Sequence, residues 1–225
     1  MTRAVLFDTE TTGLDPAAGH RVIEIAALEL HNDLPTGRHF HALIDPERDI
    51  PEDAARIHGL TRRDLAGKPR FAEIADELRE FLAGDPLIAH NAPFDFGFLD
   101  AEFARLGAPP LDRGRMIDTA TLARARFPGL PNSLDALCRR FGIDLSERTT
   151  HNALLDCRLL AAVYVELTGG RQRGLSLDAA TTKAAPGVTY TSSGARTPRL
   201  ITPSAAELAA HAAFLAHLKA PLWTS

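Results

Sequence analysis

Residues 4–14 read AVLFDTETTGL, an apolar run that ends in two carboxylates, Asp8 and Glu10, spaced two apart. In an extended strand the side chains at i and i+2 share a face, so both acids enter one small volume. Two unit charges about 4 Å apart cost roughly 4 kcal/mol at an effective dielectric of about 20, so the pair requires a proton, a cationic partner or a metal. The rest of the chain has to supply it.

Working outward, residues 21–30 (RVIEIAALEL) alternate in the manner of a second strand, after a turn marked by Gly13, Pro16 and Gly19, and 39–44 (HFHALI) reads as a third. Three strands in succession imply antiparallel pairing. The period then changes: Phe71, Ile74, Leu78, Phe81 and Leu82 recur at helical spacing, and LIAH (87–90) follows as a short strand. A helix opened by Pro93 carries Phe94, Phe98, Phe103 and Leu106 and stops at Gly107. RMID (115–118) reads as a fifth strand, with helices expected over 119–126, 133–141 and 153–167. The predicted class is α/β, a mixed five-stranded sheet flanked by helices.

A chain of 225 residues with 45% hydrophobic content can bury a full core. No apolar run approaches the roughly 18 residues of a membrane span, and strand-like sequence from Ala4 leaves no room for a signal peptide, so a cytoplasmic protein without membrane attachment is expected. Cys138 and Cys157 lie inside predicted helices without metal-ligand spacing and read as buried thiols.

Two further stretches carry acids. HNAPFDFGFLD (90–100) puts Asp95 in the first turn of a helix, where an anion is favoured and where it could equally be a cap. HNALLDC (151–157) puts His151 and Asp156 five residues apart, about 140 degrees around a continuous helix. They cannot serve one site from one helix face, so His151 belongs on the preceding loop. Asp8, Glu10, Asp95 and Asp156 then form a set of hard oxygen ligands with one histidine, which suits Mg²⁺ or Mn²⁺ rather than zinc. Two such ions per site, about 3.5 to 4 Å apart, support in-line phosphoryl displacement, and a histidine is a suitable proton acceptor at neutral pH.

The ordered set FDTETTGL, HNAPFDFGFL and HNALLD resembles the three motifs of the DEDDh family of 3'-to-5' exonucleases, over residues 4 to about 168. The resemblance implies a ribonuclease H-like fold, with Asp8, Glu10, Asp95 and Asp156 as metal ligands and His151 as general base. No motif position departs from the pattern. It further implies that Leu14 packs on a terminal base and that His58, in IHGL, faces the scissile nucleotide; a turn leucine and a solvated histidine are the alternatives. Thr11, Thr12, Asn91 and Phe94 would contact the strand end or brace the acids, and His90 reads equally well as a structural strand-end residue.

A formal net charge of -4 offers little general attraction for phosphates, so the substrate, a single-stranded or mispaired DNA 3' end, should be delivered by something else. Gln172, Leu175 and Leu177 in RQRGLSLDA are similar to the short peptide that docks bacterial sliding clamps. Leu208, Phe214, Leu215, Leu218, Leu222 and Trp223 make an apolar face on a terminal helix similar to a polymerase-binding tail. The expected layout is a nuclease domain over 1–170, a linker over 171–203 and a docking helix over 204–225, with a replicative polymerase and its clamp as partners. A stand-alone nuclease acting on RNA ends or short oligonucleotides, and an adaptor joining polymerase to clamp, remain open alternatives.

Overall fold

The computed structural model describes residues 2–169 and 202–218, in two units that lie within residues 1–175 and 176–225. In the first unit, strands β1 (Arg3–Thr11), β2 (Val22–His31), β3 (Leu34–Leu43), β4 (Leu87–Ala89) and β5 (Met116–Asp118) form one sheet in the order β3-β2-β1-β4-β5. β1 pairs antiparallel with β2, and β2 with β3, whereas β4 runs parallel to β1 and β5 parallel to β4. The helices are α1 (Glu52–His58), α2 (Phe71–Leu82), α3 (Ala92–Arg105), α4 (Thr119–Arg126), α5 (Leu134–Phe141) and α6 (Ala153–Leu167).

Each face of the sheet is covered. Val5 and Phe7 of β1 join Phe71, Leu78, Phe96 and Phe103 of α2 and α3 in one core, while Leu6 joins Ala153, Cys157 and Leu160 of α6 in another. Alternate residues of β1 therefore face opposite layers, as a strand requires. β2 alternates as expected of a strand, yet its acids Glu24 and Glu29 are buried along with its apolar residues. Glu29 is matched by Arg3 and Arg38, and Glu24 by His41 and Asn152.

Two elements differ from the expectation. β3 begins at Leu34, because Asn32 and Asp33, at φ 51° and 68°, turn the chain sharply enough to bring the polar LPTGR half into the ladder. α1 was not anticipated; it is seven residues long, enters from Pro51 and closes on Gly59 at φ 75°, a left-handed position that glycine fills without strain. Cys138 and Cys157 are free and buried, as expected.

In the second unit, Ala205–Leu215 forms α7, opened by a capping box between Ser204 and Glu207. Leu208, Phe214 and Leu218 are exposed, Leu215 is half-buried, and Leu218 lies past the end of the helix. Gln172, Leu175, Leu177, Leu222 and Trp223 lie outside the described residues. Among the described residues no helix is long and apolar enough to cross a membrane.

Candidate active site

A cleft of about 850 Å³ opens at the end of β1, lined by Asp8, Glu10, Asp95, Arg148, His151 and Asp156 among others. Three elements meet there. β1 brings Asp8 and Glu10; α3 brings Asp95 in its first turn; α6 brings Asp156 in its own. His151 lies just before α6 in irregular backbone, so its imidazole reaches back with Nδ1 3.7 Å from Asp156 Oδ2. Glu10, His151 and Asp156 each offer a ligand atom, all within 4.8 Å of one another.

Asp95 is not a cap of its own helix. Its Oδ1 accepts from the backbone N–H and the hydroxyl of Thr9, at 3.1 and 2.7 Å, which pins α3 to β1 beside the first acids. The cap comes from elsewhere: Asp118 Oδ1 accepts from the amides of Asn91, Ala92 and Ala120, at 2.9, 3.2 and 3.1 Å. One carboxylate thus serves the N-termini of both α3 and α4.

The acids burden one another. Burial first, then the charges of Asp156, Glu24 and Asp95, hold Glu10 up to about 8. Burial likewise raises Asp95 to about 7 against the stabilising bonds from Thr9. Asp8 is raised by burial and by its neighbours Asp95, Glu10 and Asp156. Asp156 has a dedicated counter-ion instead, since Arg148 grips it in a two-pronged pair, Nε to Oδ1 at 2.6 Å and Nη2 to Oδ2 at 2.7 Å. The third arm of the guanidinium, Nη1, reaches Asp135 on α5 at 2.6 Å. Partial burial, then the Arg148 charge, lowers the pKa of His151, so its ring is neutral at pH 7.

Around this centre, Leu14 is 82% exposed at the cleft wall, and Thr11, Thr12, Phe94 and His90 also line it. Gly13 sits against the His20 ring, whose atoms come within 2.4 Å of where a Cβ would stand, so any larger residue there would have to displace that imidazole. His58 lines the cleft but is 5% exposed, which corrects the solvated alternative. Its Nδ1 accepts from Leu60 N–H, leaving the proton on Nε2, and that buried nitrogen has no hydrogen-bond partner among the described residues. Asn91, at φ 63°, does not line the cleft; its amide is held by Asp118. His90 Nδ1 pairs with Thr119, in keeping with the structural alternative.

Sequence reasoning missed Arg148, Asp118, Glu24 and Asn152. Asp118 was readable in part, since an acid at a strand end followed by TAT is a helix-capping pattern. Arg148 in SERTTHN carries no periodicity, and Glu24 was hidden by the alternation of its strand.

The family described as Exonuclease matches residues 5–164. DNA polymerase III subunit epsilon from Rickettsia felis is 52% identical over 178 residues, covering 78% of this chain and 78% of that one. The protein of the same name from Escherichia coli K12 is 44% identical over 178 residues, covering 76% of this chain and 73% of its own length. Among solved structures, exonuclease X in complex with 5' overhanging duplex DNA has 28% identity and a TM-score of 0.58, covering 75% of this chain and 92% of that one. E. coli exonuclease I with a dT13 oligonucleotide superposes with a TM-score of 0.66 at 20% identity, over 76% of this chain and 42% of that one, and shows the shared fold.

Proposed function

This chain belongs to the exonuclease family, and we propose that it is a 3'-to-5' proofreading exonuclease of a bacterial replicative DNA polymerase, with Asp8, Glu10, Asp95, Asp156 and His151 as its reacting centre. The observation that carries the reading is the meeting of those residues from three elements in one cleft. The donor set fits a hard dication: oxygen-rich, with Glu10 and Asp95 held near 8 and 7 for want of compensating charge. Asp8, Glu10, Asp95 and Asp156 would hold two Mg²⁺ or Mn²⁺ ions. When bound, such ions would neutralise the acids and polarise the scissile phosphodiester.

The side chains divide the remaining work. His151, neutral at pH 7, accepts a proton from the attacking water, and its place beside Asp156 favours the imidazolium that results. Leu14 offers an exposed apolar surface to the terminal base, flanked by Phe94 and Thr11. The partnerless Nε2–H of His58 is a donor for the terminal nucleotide. Asn91 acts through the turn into α3 rather than by contact.

The relatives' name supports DNA polymerase III as the partner, and the docking face assigned to its catalytic subunit is Leu208 and Leu218, both exposed, with half-buried Leu215 and with Trp223. Gln172, Leu175 and Leu177 are assigned to the sliding clamp, and the protein to the cytoplasm where replication proceeds. Residues 1–170 would then be the nuclease, 171–203 the connection and 204–225 the docking segment.

A 5'-labelled oligonucleotide with a mispaired 3' end tests the chemistry. The wild type should release mononucleotides from the 3' end, Asp8→Ala and Asp156→Ala should not, and His151→Ala should lose about 10²- to 10⁴-fold. Near-normal cleavage by Asp8→Ala, or full activity in chelator, would refute the assignment. Deletion of residues 204–225 should spare cleavage of the free oligonucleotide and abolish co-elution with the polymerase subunit; retained co-elution removes the docking role.

A further inference from the structure

We propose that Asn152 and Glu24 form a latch that sets His151 over Glu10 and Asp156, making Asn152 a positioning residue for the reaction. Asn152 caps α6: its Oδ1 accepts from Leu155 N–H at 3.0 Å. The other half of the same amide, Nδ2, donates to Glu24 Oε1 at 2.9 Å. The two partners fix the orientation of the amide, because a backbone N–H needs the oxygen and a carboxylate needs the nitrogen.

Glu24 is a firm anchor. It is 1% exposed on β2, pairs with Glu10 across the β1–β2 ladder, and its Oε1 also accepts from His41 Nε2 on β3 at 2.8 Å. Thus the residue next to His151 is bonded to the residue opposite Glu10. His151 itself has no regular backbone ladder; its N–H donates to Ile57 O at 3.0 Å, tying the loop to α1. That bond and the Asn152 side chain hold the loop from two sides.

Capping alone does not require asparagine, since serine and aspartate cap as well. Only asparagine among them caps with its oxygen while presenting a donor to Glu24. Serine keeps the cap but ends short of the strand. Aspartate keeps the cap and sets a carboxylate against a buried carboxylate. Catalytic geometry is unforgiving: a displacement of about 1 Å can cost 10²-fold in rate.

The proposal rests on His151 acting as the base, and the experiment separates the two. Single-turnover cleavage, thermal midpoint and the ¹H–¹³C resonances of the His151 ring are measured in full-length Asn152→Ser, Asn152→Asp, Glu24→Gln, the double variant Asn152→Asp/Glu24→Gln, and His151→Ala. Asn152→Ser should lose about 10- to 10²-fold in rate, with KM unchanged, a small shift in midpoint and displaced ring resonances. Asn152→Asp should lose more, and adding Glu24→Gln should restore rate and resonances toward wild type by reversing donor and acceptor. Normal rate and resonances in Asn152→Ser, or no recovery in the double variant relative to Asn152→Asp, would overturn the latch. A normal rate in His151→Ala would instead overturn the assignment of the base. If Asn152→Asp does not fold, Asn152→Ser alone decides.

Discussion

Replacing Arg148 by methionine keeps most of the side-chain volume and removes the one guanidinium that grips Asp156. Both side chains are nearly closed to solvent, at 9% and 4% exposure, so the loss leaves a buried carboxylate without its partner. Such deletions cost about 3–5 kcal/mol. An upper bound follows from protonation, because neutralising a carboxylate of ordinary pKa near 3.9 at pH 7 costs about 4 kcal/mol. The Asp135 arm adds little, since Asp135 is 37% exposed and such pairs are worth about 0–1 kcal/mol. The expected loss is therefore about 3–4 kcal/mol, or roughly 6–16 °C in thermal midpoint for a protein of this size. A bound dication would take over the neutralisation of Asp156; a carboxylate has about four lone-pair sites, of which the guanidinium fork uses two. Thermal unfolding of wild type and Arg148→Met, each in chelator and at saturating Mn²⁺, checks this. The gap should be wide in chelator and narrow with the cation. A loss below about 1 kcal/mol in chelator, or a gap that the cation leaves unchanged, refutes the reasoning.

Three other outcomes follow from the same geometry. In chelator, Glu10 near 8 and Asp95 near 7 hold protons that the unfolded chain, with carboxylates near about 4, has released, so their contribution is full at low pH and drains as pH rises through those values. The lowered histidines His58, His90 and His151 act in the opposite sense, but below about 6.5, so the thermal midpoint should fall between about pH 6.5 and 8.5 and flatten with Mn²⁺; a rise across that range in chelator contradicts it. Leu14→Ala should leave the midpoint unchanged, the side chain being 82% exposed, while kcat/KM on a DNA 3' end drops about 10- to 10²-fold through the roughly 1.5–3 kcal/mol that covering a leucine provides; equal kcat/KM would remove its substrate role. Asp118→Ala should cost about 1–2 kcal/mol through the caps of α3 and α4, with Asp118→Asn losing less, as urea unfolding would report.

The sheet and most helices were legible because apolar period alone separates them. Val5 to Phe7 and Leu87 to Ala89 are short continuous runs of buried strands, and Phe71 to Leu82 repeats at helical spacing. The position of His151 was legible too, since five residues of separation from Asp156 exclude a shared helix face. What stayed hidden depends on partners distant in sequence. The burial of Glu24 follows from His41 on one neighbouring strand and from Asn152, 128 residues away, which no local pattern encodes. The seven residues of α1 are too few to establish a period, and its start and stop rest on Pro51 and Gly59. Arg148 acts across one loop to Asp156 and across a helix end to Asp135, so its spacing had no meaning until both ends were placed.

The charge balance of the cleft then explains why a cation belongs there. β1 is the central strand, and α3 and α6, packed on its opposite faces, both begin where it ends. The positive ends of those helices favour Asp95 and Asp156 in their first turns, at about 0.3–1 kcal/mol each. Raising Glu10 from 4.5 to about 8 corresponds to roughly 5 kcal/mol, so helix ends cannot offset burial and mutual repulsion. Arg148 answers Asp156 and, through its third arm, Asp135. Asp8, Glu10 and Asp95 are left with protons or a cation as the means of neutralisation, and near pH 7 Asp95, at about 7, shares its proton with solvent while Glu10, at about 8, still holds its own. The same arrangement therefore favours a cation in the cleft, whose binding would be coupled to release of those protons.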